Sequence, residues 1–317
     1  MWGLNPRPRS SRELLPKKQA THLDTSIRAP VAVIALSGLL WGTSFVAMKV
    51  GLEYVDPYSF AFLRLVMAFV FSAAFLFLRE RPKLNVLRDW RIWVLGILNG
   101  AGFVLQFVGI SYTTATRTAL IVNSNVAFTA LLSWRLLHEQ IGLGGFAALP
   151  LALLGVFLLT TGGDLGALVG GQATGDLLVL MSGLVWSVFL VLNKKIVTEK
   201  DSSVSQMAAW VMLVTAISIA PVALIFGKVS SAVLPWEAWG AIVFTAVVCT
   251  FIPYLLFTKA QRSVGATLSA LVLLIEVVVA IVSSALILGE QLAIGSGLGA
   301  VLVCASIILA SRGSSSR

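Results

Sequence analysis

Ten long apolar runs, separated by short polar breaks, dominate this 317-residue sequence. A helix needs about 20 apolar residues to cross the hydrocarbon core of a bilayer. With 58% hydrophobic and only 12% charged residues, the chain lacks the polar surface that a soluble protein requires. Open strands are excluded within lipid because their unpaired backbone groups would find no partner there. The sequence therefore predicts an all-α integral membrane protein.

The predicted transmembrane helices are mostly bounded by Gly, Pro or charged residues. The first run is longer than the apolar region of a signal peptide, so we expect it to be retained as a helix. The ten predicted spans are 31–50, 57–78, 92–112, 117–137, 143–161, 177–193, 206–227, 238–258, 265–288 and 293–311.

The distribution of Lys and Arg predicts the orientation, because cytoplasmic loops of membrane proteins are enriched in these residues. With both termini in the cytoplasm, 19 of the 23 basic residues lie on the cytoplasmic side and three outside, and Arg64 lies within a span. The sequence thus predicts a multi-pass protein of the plasma (inner) membrane with cytoplasmic termini.

An internal repeat divides the spans into two sets of five. The segment Ser37-Gly38-Leu39-Leu40-Trp41, followed by Lys49, recurs 145 residues later as Ser182-Gly183-Leu184-Val185-Trp186, followed by Lys194. Glu139-Gln140 recurs 151 residues later as Glu290-Gln291. Because five is odd, the two halves must be inserted with opposite orientations. Inverted repeats of this kind are typical of secondary transporters, whose substrate site lies near the membrane midplane between the halves.

Several of these segments resemble the EamA-type permeases of the drug/metabolite transporter superfamily. The resemblance rests on the segment 37–45 (SGLLWGTSF), on Arg64 and on Gly-Glu-Gln at 289–291, and it covers about 31–311. It implies ten helices, cytoplasmic termini and the transport of small metabolites, amino acids or drugs. One departure stands out: the family often has Glu-Pro in the ninth span, whereas here Val277 follows Glu276. We therefore expect the helix break there to be weaker or absent.

Glu276 is the most informative candidate site residue. A carboxylate near mid-membrane is costly and normally faces a bundle interior or an aqueous cavity. It could serve as a proton-coupled switch or as a structural group that fixes helix packing. Asn125 is its repeat equivalent, which places one polar group from each half at the same depth. The nearby Asn123 could reach the same cavity, although interhelical hydrogen bonding is the alternative role for both amides.

Arg64, Trp41 and Trp186 complete the candidate substrate-binding or coupling set. Arg64 could bind an anionic substrate group, pair with Glu276, or extend towards the outer headgroups. The two Trp side chains could stack on a substrate or simply pack in the protein. At the span ends, Lys49 and Lys194 are predicted to anchor to the membrane interfaces. Glu139 and Glu290, also at span ends, are predicted to orient loops or cap helices.

The predicted organisation has five parts. A cytoplasmic tail (1–30) precedes the first repeat (31–161), an extracytoplasmic linker (162–176) leads to the second repeat (177–311), and a short cytoplasmic tail (312–317) follows. Neither a nucleotide-binding motif nor a spacing of His and Cys typical of metal ligands occurs. We therefore expect no cofactor, no metal, no enzymatic activity and no nucleic-acid partner.

The sequence favours a secondary transporter, more specifically an exporter of small metabolites, amino acids or drugs, working by alternating access between its halves. Its expected partners are the lipid bilayer, a small-molecule substrate and protons as the candidate coupling ion. The alternative is a non-transporting membrane protein, such as a receptor, a scaffold or an intramembrane enzyme. A polar cavity at mid-depth reached by Glu276 and Asn125 is expected only of the transporter.

Overall fold

The described part of the chain is helical. The computed structural model contains regular helices and no strand in the residues that it describes. Eight helices are long and apolar enough to cross a membrane, and two shorter apolar helices, Leu143–Leu158 and Gly297–Ala310, lie in the fifth and tenth positions. The predicted all-α membrane fold is therefore confirmed. The structure describes residues 25–140, 142–161, 163–164, 166, 173–199, 203–228, 234–290 and 295–314.

The ten spans follow one another through short connections, and a 3-10 helix, Leu84–Arg88, joins the second span to the third. In chain order the spans are Ile27–Gly51, Pro57–Arg79, Trp90–Ser111, Ala115–Leu136, Leu143–Thr161, Ala173–Glu199, Val204–Phe226, Trp236–Gln261, Ala266–Leu288 and Ser296–Ser314.

Side-chain caps explain where several spans begin. Asp56 accepts hydrogen bonds from the backbone N–H groups of Tyr58 and Ser59, and Pro57 occupies the first helical position. Asp89 and Thr114 cap the third and fourth spans in the same way. Such caps satisfy backbone donors that a helix leaves unpaired at its start.

The predicted segment boundaries shift where helices continue past charged residues. The first helix begins at Thr25, within the predicted tail 1–30, and residues 1–24 lie outside the described residues. The sixth helix spans Ala173–Glu199 and so includes the last four residues of the predicted linker 162–176. Most of that linker, Gln291 of the Glu-Gln repeat and residues 315–317 also lie outside the described part of the chain.

The main helix contacts join one half of the chain to the other. The first span packs against the eighth and ninth, and the sixth span packs equivalently against the third and fourth. The second span contacts the seventh, the fourth contacts the ninth and the fifth contacts the tenth. Exchanging each helix for its counterpart five positions along leaves this set of contacts unchanged. The two halves are therefore related by a pseudo-twofold arrangement and meet along a central seam.

Three spans are interrupted near their middle. The first is interrupted at Thr43, the fourth at Ser124 and the ninth at Leu274. The break that was expected to be weaker or absent is present at Leu274 without a proline after Glu276, and Leu274 keeps right-handed helical dihedrals (φ −57°, ψ −14°). At Leu274 the backbone closes a tight turn, in which Leu274 N donates to Leu271 O at 3.2 Å and Val277 N donates to Leu274 O at 3.1 Å.

The glycines of the repeated Ser-Gly-x-x-Trp motif lie against these interruptions. A Cβ atom on Gly38 would stand 3.3 Å from the carbonyl oxygen of Leu273, in the ninth span. A Cβ atom on Gly183 would stand 2.9 Å from the carbonyl oxygen of Val122, in the fourth span. Each half therefore places a glycine where its first helix meets the broken helix of the other half. In the ninth span this close contact lies beside the break at Leu274. From the sequence, a clear break there had been expected only with a proline after Glu276.

Candidate functional site

A central cavity lies at the seam between the halves, beside the interruptions of the first, fourth and ninth spans. The centres of water-sized molecules can occupy about 100 Å³ of it. All six candidate residues from the sequence line this one cavity. Its lining comprises Trp41, Ser44, Phe45, Arg64, Asn99, Phe103, Gln106, Asn123, Asn125, Trp186, Phe189, Leu190, Met212, Thr250, Tyr254, Ala270, Leu273 and Glu276.

Glu276 meets an amide of the other half. Its Oε1 accepts a hydrogen bond of 2.7 Å from Nδ2 of Asn123. Asn123 ends the first segment of the fourth span, and Glu276 lies in the first turn of the second segment of the ninth. The two helix interruptions thus bring an amide and a carboxyl group together across the seam. A carboxyl group at this depth needs such a partner, because burial of an unpaired charge is strongly unfavourable.

Asn125 also lines the cavity, and its backbone carbonyl accepts a hydrogen bond of 3.1 Å from the hydroxyl of Ser187 in the sixth span. The repeat equivalence of Asn125 and Glu276 predicted that both lie at one depth. Both residues do border the central cavity, one from each half.

Arg64 is buried, with 2% of its surface exposed. Its Nε donates to Oγ1 of Thr250 at 2.7 Å, and its Nη2 donates to the carbonyl of Cys249 at 3.0 Å. The guanidinium carbon lies 4.9 Å from the ring centre of Phe103, within the range of a cation–π contact. This placement excludes the alternative in which Arg64 extends to the outer headgroups. Its Nη1 is buried and has no hydrogen-bond partner.

A π-helical turn, Val247–Phe251, supplies the groups that hold Arg64. One extra residue in the turn shifts the backbone register, so the Cys249 carbonyl and the Thr250 hydroxyl both reach the guanidinium. The Thr250 hydroxyl in turn donates to the carbonyl of Thr245, five residues earlier, at 2.8 Å. Such π-turns frequently occur at functional sites. Pro253, two residues after the turn, lacks a backbone N–H, so it cannot donate to the Cys249 carbonyl four residues earlier, which accepts from Arg64 instead.

Arg64 and Glu276 do not form the direct ion pair that was one of the sequence hypotheses. Both line the cavity, but the salt bridges among the described residues are Arg91–Asp89, Arg91–Glu199 and Arg117–Asp176. Arg64 is instead held by uncharged oxygen atoms and aromatic faces, and Glu276 by an amide. A cationic and an acidic group therefore face one cavity without neutralising each other directly.

The apolar walls of the cavity are aromatic. The Trp186 ring meets Phe103 edge-on with ring centres 5.4 Å apart, and Trp41 lies 5.4 Å from Phe257. Phe189 and Tyr254 form a further pair at 6.0 Å. Both Trp side chains thus pack against neighbours and also border the cavity, and stacking on a substrate stays a prediction.

Sequence reasoning missed several cavity residues, including Phe103, Tyr254 and Thr250. A signal existed for the third span: Asn99, Phe103 and Gln106 follow the i, i+4, i+7 spacing of one helix face. That face is polar within an apolar helix, and it lines the cavity. Thr250 and Tyr254 are also spaced i, i+4, but Thr250 lies within the π-turn, so the face that they share is not that of a regular helix.

The groups that line this site are suited to hydrogen bonding and to charge recognition. No group of three or more His, Cys, Asp or Glu side chains that could hold a metal ion occurs among the residues with described positions. The arrangement offers one cation, one carboxyl group, four amides and an aromatic wall. These groups can recognise a small molecule that carries charges of both signs.

Comparison with known proteins relates most of the chain to one family. The model of the EamA-like transporter family matches residues 29–161 and again residues 173–312. One match falls on each half of the pseudo-twofold fold.

Similar proteins are named as transporters. The "Uncharacterized transporter YyaM" of Bacillus subtilis (strain 168) is 30% identical over 85% of this chain and 89% of its own length. The "Probable amino-acid metabolite efflux pump" of Escherichia coli (strain K12) is 26% identical over 86% of this chain and 91% of its own. A solved crystal structure with 18% identity superposes with a TM-score of 0.73, covering 89% of this chain and 96% of that one. That likeness shows a shared fold.

Proposed function

The chain belongs to the EamA-like transporter family, as its resemblance predicted, and from that premise we propose that it carries small zwitterionic metabolites of the amino-acid type. It is a transporter, a multi-pass membrane protein whose setting is the lipid bilayer and whose substrate is a small molecule. Family membership favours this function over the receptor, scaffold and enzyme alternatives. The finer proposal concerns which solute binds, where it binds and how it moves.

The observation that most strongly supports this substrate class is the Nη1 atom of Arg64, which has no hydrogen-bond partner in a cavity that is also lined by Glu276. A buried guanidinium nitrogen without a hydrogen-bond partner is unfavourable unless a ligand supplies an acceptor. A substrate carboxylate supplies that acceptor, and Arg is suited to carboxylate recognition by its planar set of donors. The Glu276 carboxylate then offers the opposite charge to a substrate ammonium group.

The aromatic walls favour a solute with an apolar or aromatic side chain. Trp41, Trp186 and Phe189 border the cavity beside the charged groups. Tight ligand sites typically combine apolar walls with a few placed polar groups, as this one does. The name of the E. coli relative, an amino-acid metabolite efflux pump, agrees with this substrate class and supports export as the direction.

We further propose alternating access, with the halves moving about the cavity, and proton coupling through Glu276. The inverted arrangement of the halves supports the first point, since such repeats can exchange conformations at one central site. For the second, a proton on Glu276 removes the charge that would hold a substrate ammonium, so proton binding and substrate binding compete. The Lys and Arg distribution supports cytoplasmic termini in the plasma membrane.

Transport into proteoliposomes tests the substrate class. We expect counterflow of phenylalanine or leucine, and none of the corresponding methyl ester, which lacks the carboxylate, or N-acetyl derivative, which lacks the ammonium group. Equal transport of a blocked derivative would show that Arg64 and Glu276 do not recognise both the carboxylate and the ammonium group of the substrate. A pH gradient should accelerate transport by the wild type but should not change the rate of any transport by Glu276→Gln.

A further inference from the structure

Outside the central cavity, a carboxylate from each half caps a helix of the other half. Glu290, after the ninth span, accepts hydrogen bonds from the backbone N–H groups of Ala115 at 3.3 Å and Thr116 at 3.4 Å, and from the Thr116 hydroxyl. These donors begin the fourth span. A carboxylate at a helix start is stabilised by the unpaired N–H groups and by the helix dipole.

The opposite end of the bundle repeats this contact with the halves exchanged. Glu139, after the fourth span, accepts from Ala266 N at 2.7 Å, from Thr267 N at 3.2 Å and from the Thr267 hydroxyl at 3.1 Å. These donors begin the ninth span. We call the two contacts the Glu290 latch and the Glu139 latch.

The turn before each carboxylate is also repeated. His138 and Gly289 both adopt a left-handed backbone conformation, with φ of 52° and 67°. The following residue closes the turn in both cases: Glu139 N donates to Ser133 O, and Glu290 N to Ser284 O, each at 3.3 Å. Left-handed geometry is unfavourable for a side chain such as that of histidine. Its presence at the equivalent position indicates that the geometry of the latch is specified in both halves.

A lysine from the end of a neighbouring helix accompanies each latch. Lys49 donates to the carbonyl of Thr113, directly before the capped fourth span, and attracts Glu290 electrostatically. Lys194 donates to the carbonyl of Gln261 at 2.7 Å, before the capped ninth span, and attracts Glu139. Both lysines thus bind backbone carbonyls beside the latches, and their role as interfacial anchors stays a prediction.

Each latch holds a short helix whose far end borders the central cavity. The helix Ala115–Asn123 runs from the Glu290 latch to the amide that contacts Glu276. The helix Ala266–Leu273 runs from the Glu139 latch to the cavity residue Leu273. Both helices end at a single-residue turn, at Ser124 and Leu274, where the regular helix of the span is interrupted.

We propose that the Glu290 and Glu139 latches are the two gates of the transporter, each released when the cavity opens at its own end. In the orientation with cytoplasmic termini, the Glu290 latch is the outer gate and the Glu139 latch the inner one. Both are formed in this structure, and alternating access requires that they release one at a time. The inference rests on the proposed alternating-access function and adds the residues that control it.

Thiol accessibility tests the gates without any substrate. Ser44 lines the central cavity, and Ser44→Cys in a Cys249→Ala, Cys304→Ala background places one reactive thiol there. We expect Glu290→Ala to raise the rate of labelling by a membrane-impermeant reagent about tenfold from outside, since a charged hydrogen bond typically contributes about that factor to an equilibrium. Glu139→Ala should raise it from the cytoplasmic side only.

Three further variants keep the test decisive. Glu237→Ala removes a carboxylate from the first turn of the eighth span, which caps no helix of the other half among the described residues, and it should change neither rate. Thr116→Val and Thr267→Val delete only one hydroxyl contact each and should give smaller shifts on the same sides, should the Ala variants fold poorly. Labelling that rises from the wrong side, from both sides or from neither overturns the gates. If transport of zwitterions fails while labelling behaves as expected, only the substrate proposal is lost.

Discussion

The glycine at position 183 provides a sharp test of how the halves meet. In Gly183→Ala the added Cβ would stand 2.9 Å from the carbonyl oxygen of Val122, 3.5 Å from its Cα and 3.6 Å from its carbonyl carbon. All three neighbours are backbone atoms, so none can rotate away. The sixth and fourth spans must therefore separate by several tenths of an ångström at the helix interruption beside the cavity.

The matched control is Gly240→Ala. Gly240 also lies within a helix, but a Cβ atom there would meet nothing within 4 Å. Both variants gain the same helix propensity, about 1 kcal/mol. Overpacking a close contact typically costs about 1–3 kcal/mol. We therefore expect Gly240→Ala to unfold slightly above the wild type, and Gly183→Ala to be less stable than this control by about 1–3 kcal/mol.

Thermal unfolding in detergent, followed by tryptophan fluorescence, measures this difference directly. Comparing the two alanine variants cancels the propensity gain and leaves the contact at the seam. Equal midpoints for Gly183→Ala and Gly240→Ala would refute the account of the repeated motif, because they would mean that the sixth and fourth spans are not in close backbone contact at Gly183.

Two further predictions concern single positions outside the cavity. Burial alone would raise the pKa of the Asp56 carboxyl group, but hydrogen bonds from Ser59, Lys228 and Tyr58 lower it below its ordinary value of 3.8. Its stabilising effect is therefore present above that value and lost as the pH falls through the folded-state pKa. The stability advantage of the wild type over Asp56→Asn should shrink below pH 4, and a constant difference would contradict this reasoning. His138→Gly, which relieves a φ of 52°, should raise the unfolding midpoint; a lowered midpoint would show that the imidazole contributes more than the strain costs.

The sequence predicted the membrane fold, its two halves and the residues that meet at the seam. Apolar run lengths identified the spans, and the repeated Ser-Gly-x-x-Trp segment placed Trp41 and Trp186 equivalently. The repeat offset made Asn125 the equivalent of Glu276, and both residues line one cavity. These predictions succeeded because they depend on periodicity and on the cost of polar groups in lipid, which the sequence displays directly.

Other features depend on contacts between distant segments. The interruption at Leu274 carries neither glycine nor proline, and it forms where Gly38 of the first span approaches the backbone of Leu273. The surroundings of Arg64 follow from a π-turn in the eighth span. Pro253 marks an irregularity in that span but does not show which side chain the turn binds, so the choice among the three roles of Arg64 had to await the structure.

The central claim is that the cavity at the seam binds the transported solute through Arg64. Counterflow of a zwitterionic amino acid in proteoliposomes by Arg64→Met, beside the control Arg79→Met, tests it most directly. Both residues lie in the second span, but Arg64 is buried at the cavity whereas Arg79 is exposed at the end of the helix. Loss of a charged hydrogen bond to substrate corresponds to about tenfold or more in affinity. The account predicts at least that loss for Arg64→Met and near-normal transport for Arg79→Met; a folded Arg64→Met protein that transports like the wild type would contradict it.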